Sequence, residues 1–336
     1  MSQIKKKIGL LVGLVWYWFS LLFFSPLLIW YLFDSPNLLS ELVVELITVG
    51  APTLILASFH RRVDDTKVAL YEIDDRPIKG LPLGVSFGSI AVCIGLFFFV
   101  TYAVNTFQLI YGLQTGEFVV TSVPEMFSFG AKLAIIFVNA LLPAVFEEIA
   151  YRGLFFDAFR QNNKSAIWLV PTLVFASLHS GAISVISAFL LGLILIALYS
   201  KFRSLKLVII MHFIYNTLGE VFGNFTTLPF SVLSIWLQHP NNTQLLIAIM
   251  VSVCITLLAL LITLYLFVHL LQKKLPCLEN DKVMAPTKQA GDIVLVVCLI
   301  IFAFLTFALK FSMDAYEGQN NSLIGGVRFA SKMIDT

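Results

Sequence analysis

Residues 129–156 read FGAKLAIIFVNALLPAVFEEIAYRGLFF. A helix needs about 20 mostly apolar residues to cross the ~30 Å hydrocarbon core of a bilayer, and the run from 129 to 150 meets that length. Yet Glu147, Glu148 and Arg152 interrupt it between two strongly apolar flanks. Each such charge near a helix centre costs roughly 2.5–3.5 kcal/mol on the lenient insertion scale. Taken alone, the stretch has two readings. Either the span ends near Phe146 and the E-E-x-x-x-R segment is its cytoplasmic cap, or a polar site lies inside the membrane.

The rest of the chain supplies the context. Of its 336 residues 59% are hydrophobic and 12% charged, with a mean hydropathy of +0.90. Soluble domains are roughly 45–50% apolar and about 25% charged, so a soluble globular protein is excluded. The formal charge of +2 offers no basic field for nucleic acid. Cys93, Cys254, Cys277 and Cys298 contain no C-x-x-C pair and support neither a disulfide framework nor a thiolate metal site. Nine apolar runs of spanning length fall near 8–33, 37–59, 83–111, 129–150, 165–181, 183–200, 205–221, 243–271 and 292–312. The first follows Lys5-Lys6-Lys7, is too long for a signal-peptide core and is read as a retained span. The expected fold is therefore an all-α, polytopic integral membrane helical bundle of about nine transmembrane helices, or eight if one of the weaker runs fails.

Lys and Arg collect in short cytoplasmic loops. With the N-terminus cytoplasmic, eighteen of the 22 Lys and Arg fall on the inner side, and only Lys132, Lys310, Arg328 and Lys332 remain outside. Nine spans then place the C-terminal tail outside. The two spans of the short hairpin joined at Ser180-Gly181 and the last span are the weakest, and removing any one of them reverses everything after it. The loop 60–82 mixes five cations with five acids and reads as a solvated connector. The chain divides on this reading into N-terminal helices and their loop at 1–128, a core at 129–221, and C-terminal helices with a polar tail at 222–336.

Polar residues recur inside three neighbouring runs. Glu148 and Arg152 stand four apart, share a helix face and can pair, whereas Glu147 is rotated about 100° away. Asn139 would sit about 80° around a regular helix from Glu147, with Pro143 between them to bend it. A later run carries Phe175-Ala-Ser-Leu-His179, and another His212-Phe-Ile-Tyr-Asn216. A lone membrane histidine is more often a packing residue, but together these groups can supply one another's partners, which weighs against the cap reading. A carboxylate held away from bulk water can act as general base toward a water molecule, and Glu147 is the candidate. His179 suits orienting that water and protonating the leaving amine; His212 and Asn216 suit donation to a tetrahedral oxyanion. Glu147, His179 and His212 would equally suit zinc as two histidines plus a glutamate with one position open. No H-E-x-x-H helix is present, and the residues leave metal and no metal both open. Nothing in the sequence requires a cofactor.

The ordered set Glu147-Glu148-x-x-x-Arg152, Phe175-x-x-x-His179 and His212-x-x-x-Asn216 resembles the CAAX protease and bacteriocin-processing (Abi) family of intramembrane endopeptidases. The resemblance covers about residues 129–221. It implies an all-helical bundle whose polar cavity opens to the cytoplasmic side. It further implies that Glu147 activates water with His179, that His212 and Asn216 form the oxyanion site, and that Glu148 and Arg152 support them. Substrates in the family range from prenylated C-a-a-X proteins to bacteriocins and peptide pheromones. The stretch E-E-I-A-Y-R-G-L-F-F looks more like the bacterial branch, which favours a bacterial plasma membrane over the endoplasmic reticulum. The partners implied are the lipid bilayer and a membrane-associated peptide or protein, seated against Phe146, Phe155 and Phe156.

The leading expectation is thus a glutamate-type, metal-free or metal-assisted, intramembrane protease. The rival is a non-catalytic scaffold or bacteriocin self-immunity protein acting through a membrane partner, motivated by the flanking spans. Glu41 and Glu45, four apart near the outer end of the second run, could face the bundle, with a water-facing interface the favoured reading. Gly192 and Gly219 are expected to permit close helix contact.

Overall fold

The computed structural model describes residues 38–63, 81–115, 128–156, 164–179, 182–222 and 242–273, with Gly9, Val12, Gly13 and Trp16. Every regular element among them is helical. Helix α1 runs through Leu38–Glu45, a wider-wound π turn Leu46–Gly50, and Ala51–Val63; α2 is Leu83–Thr115. Helix α3 comprises Phe129–Ile136, a π turn Phe137–Leu141, Leu142–Glu148 and a second π turn Ile149–Phe155. Then follow α4 (Lys164–Ser177), α5 (Ala182–Phe202), α6 (Leu205–Phe222) and α7 (Asn242–Gln272).

Six of these helices are long and apolar enough to cross a membrane. With no water to satisfy backbone groups in lipid, helices and closed barrels are the structures that can span it. The chain is an integral multi-pass membrane protein. Seven of the nine expected spans coincide with α1 to α7, whereas 292–312, and 8–33 apart from four residues, lie outside the described residues. The fifth expected span, 165–181, is corrected. Helix α4 has 14 residues, about 21 Å at 1.5 Å each, which is short of the ~30 Å core. Pro171 interrupts its hydrogen-bond ladder, and the chain turns at Leu178 and His179.

Two of the π turns have a cause in the sequence. Gly50 is followed two residues on by Pro52, and Leu141 by Pro143. Proline lacks an N–H and clashes with the carbonyl four residues back, here Thr48 and Asn139, both inside a π turn. Widening the helix just before the ring relieves that clash. The regular-helix angle expected between Asn139 and Glu147 therefore does not apply, because Phe137–Leu141 is not wound at 3.6 residues per turn.

The described residues gather into two compact units. One holds 38–63, Leu81, 141–156, 164–179, 182–209; the other holds 82–115, 128–140, 210–222 and 242–273. In the first, a core of Tyr151, Leu154, Phe155, Val170, Val174 and Phe175 packs the end of α3 against α4 and α1. At its edge Arg203 holds a left-handed backbone with φ of 51°, and its guanidinium lies over the rings of Phe156 (4.8 Å) and Tyr199 (5.2 Å). In the second, α2 and α7 pair antiparallel. Gly88 meets Leu270, Gly95 meets Thr263, and Thr106 Oγ1 hydrogen-bonds Ser252 Oγ at 2.7 Å. Small and hydroxyl-bearing residues at such contacts let helix backbones approach closely in lipid. Tyr265, Met250, Leu261 and Leu258 on α7 are left exposed, as suits a helix bathed in lipid rather than water.

Candidate active site

Glu148 and Arg152 form the pair that their spacing anticipates. Arg152 Nη1 donates to Glu148 Oε1 at 2.7 Å, and both side chains are almost fully buried, at 1% and 0% exposure. The arginine is held from two further directions. Nη2 donates to the carbonyl of Gly192 on α5 at 3.2 Å, and Cζ lies 4.8 Å above the ring of Phe175 on α4. A fork-shaped guanidinium can meet a carboxylate, a carbonyl and a ring face at once, which an ammonium cannot. Gly192 is there because nothing larger fits. A Cβ at that position would stand 3.0 Å from Thr172 Cγ2, 3.2 Å from Phe175 Cδ1 and 3.4 Å from Arg152 Nη2. Gly219, by contrast, has nothing within 4 Å of such a Cβ among the described residues, so no close contact of the expected kind is found there.

Phe175 joins this ion pair to the histidine. The ring of His179 sits edge-on to Phe175 at 4.9 Å, and His179 Nδ1 lies 3.1 Å from the Phe175 carbonyl oxygen. A carbonyl only accepts, so Nδ1 carries the hydrogen in that bond and the neutral ring keeps its lone pair on Nε2. The F-x-x-x-H spacing thus positions the ring and selects its tautomer together. Tyr151 packs on the other edge of Phe175 at 5.4 Å.

Glu147 occupies the last turn before Ile149–Phe155, half-buried, within electrostatic reach of Glu148, Arg152 and a third carboxylate, Glu45 of α1. The expectation that Glu45 faces water is corrected. Its Oε1 is buried and has no hydrogen-bond partner among the described residues. The reason is the close approach of α1 to α3: Gly50 lies so near Phe146 that a Cβ would stand 3.0 Å from its ring. The sequence carries one signal for this, a glycine two residues before a proline and about one turn beyond an acidic residue.

His212 and Asn216 belong to the second unit, one turn apart on α6. His212 is buried and Asn216 half-buried. Next to them Cys93 Sγ of α2 donates to the carbonyl of Met211 at 3.0 Å, and Phe97 meets Tyr215 edge-on at 5.8 Å. Cys93 therefore does more than fill space. Among the described residues no three His, Cys, Asp or Glu side chains are grouped so as to hold a metal ion.

Residues 129–218 match the family model described as type II CAAX prenyl endopeptidase Rce1-like. The Rce1-like segment begins at the first residue of α3 and ends within α6, so it contains all six expected site residues. It leaves out α1, α2 and α7, and with them Glu45 and Cys93. No curated protein and no solved structure matches the chain.

Proposed function

We propose that this protein is an intramembrane endopeptidase in which Glu147 activates the attacking water. The observation that carries the reading is the division of labour between adjacent carboxylates: Glu148 is held by Arg152, and the same arginine packs on the phenylalanine that orients His179. In this mechanism Glu147 takes a proton from water as its oxygen adds to the scissile carbonyl. His212 and Asn216 donate to the oxyanion, and the tetrahedral adduct collapses as the leaving nitrogen takes a proton from Glu147 or through His179. The C–N bond breaks, and a carboxylic acid and an amine result. The Rce1-like match supports a protease, and its description makes a prenylated C-a-a-X terminus the first substrate class to try.

The same reading keeps residues 129–221 as the catalytic core between N- and C-terminal flanking helices. It sets the N-terminus in the cytoplasm and the protein in a bacterial plasma membrane. The test is mass-spectrometric profiling of membrane and secreted peptides from cells carrying wild type or Glu147→Gln at matched abundance. Peptide termini that vanish in the variant are the expected result. Identical profiles, with a deletion phenotype still complemented by a Glu147→Ala/His179→Ala double variant, would replace the enzyme with a scaffold.

A further inference from the structure

Glu45 lies outside the family match, on a helix that the motif residues do not include. Three observations bring it to the site. The π turn Leu46–Gly50 that begins at the next residue packs on the segment of α3 ending in Glu147 and Glu148. Gly50 permits that approach, because a side chain there would press on Phe146. The Glu45 carboxylate has an acceptor oxygen buried without a hydrogen-bond partner among the described residues, and it lies within electrostatic reach of Glu147.

An acceptor left in this state keeps its desolvation penalty, and two neighbouring carboxylates also repel. Both penalties are relieved by a small donor with two O–H bonds, one for each carboxylate. The attacking nucleophile has that form. Added to Glu147 and His179, an acceptor from a further helix narrows the directions that the water's lone pair can take. Such orientation lowers the barrier without adding to substrate binding.

We propose that Glu45 is a second acceptor for the attacking water, so that the nucleophile is held between α1 and α3. The inference rests on the endopeptidase reading. Glu147 removes one proton of the water; Glu45 accepts the hydrogen bond of the other and keeps it in place through the addition.

The experiment uses the full-length protein in liposomes and an internally quenched farnesylated C-a-a-X peptide as probe. Wild type is compared with Glu45→Gln, Glu45→Leu and Glu147→Gln. Glutamine keeps a carbonyl acceptor and leucine keeps only bulk. Glu45→Gln is expected to stay within about threefold of wild type, and Glu45→Leu to lose about tenfold or more in kcat at unchanged KM and undiminished melting temperature. The inference is overturned if Glu45→Leu cleaves at the wild-type rate, if Glu45→Gln is as slow as Glu45→Leu, or if the leucine loss lies in KM or tracks a lowered melting temperature. Wild-type turnover by Glu147→Gln would instead sink the endopeptidase reading and this inference with it. An inactive Glu147→Gln beside an active Glu45→Leu would overturn the inference alone.

Discussion

Adjacent glutamates with different partners should fail in different ways. Replacing Glu148 by glutamine leaves the buried Arg152 facing a neutral amide, and breaking a buried pair from one side costs about 3–5 kcal/mol. Glu148→Gln is therefore expected to melt far below wild type in detergent. Glu147→Gln should melt close to wild type while losing roughly 10²–10⁴-fold in cleavage, the usual contribution of a general base. Equal melting temperatures for the two variants would contradict the assigned roles. This division was legible in the sequence, because i,i+4 spacing predicts the Glu148–Arg152 pair and places Glu147 elsewhere. The contacts that lock the pair were not. The carbonyl of Gly192 and the face of Phe175 come from helices 23 to 40 residues away, and no local spacing reveals which ring lies under a guanidinium. The burial of Glu45 escapes the sequence for a related reason: it is set by how closely α1 meets α3, a tertiary fact.

The positions of all seven described helices follow from hydropathy and length alone, but their winding does not. A π turn accommodates a proline by adding a residue to a turn, and periodicity read at 3.6 residues cannot see it. Pro143→Ala restores the missing N–H to the Asn139 carbonyl and lets Phe137–Leu141 rewind as α-helix. The expected outcome is an undiminished melting temperature with cleavage strongly reduced, since the register of Glu147 against α1 changes. Wild-type turnover would mean that the π turn does not position the site. Gly192→Ala tests the packing of α5 on α4. Its methyl must displace Thr172, Phe175 or the guanidinium, and overpacking of this kind costs about 1–3 kcal/mol. A lowered melting temperature with weakened cleavage is expected there, while Gly219→Ala, with no described residue within 4 Å of the added methyl, should match wild type in both.

For the whole molecule the short helix α4 bears on topology. A segment of about 21 Å does not cross the bilayer unaided, and removing one span would invert every later loop. The inversion does not follow if α4 and α5 act as one hairpin. They pack together and are joined by only four residues, 178–181, so the chain leaves and returns on the same side whatever depth the turn reaches. Lys164 at the start of α4 and Lys201, Arg203 and Lys206 at and beyond the end of α5 then fall on one side, the cytoplasmic one in the arrangement proposed above. The proposed arrangement, N-terminus inside and C-terminal tail outside, makes a direct prediction for a membrane-impermeant maleimide. In intact cells Asn241→Cys and Asn320→Cys should react, whereas Asp74→Cys and the native Cys277 should react only after permeabilisation. Each is tested in a chain whose other cysteines are replaced. Labelling of Cys277 in intact cells would mean that the hairpin does not preserve the side. Protection of Asn320→Cys alone would remove the last span and leave the rest of the topology standing.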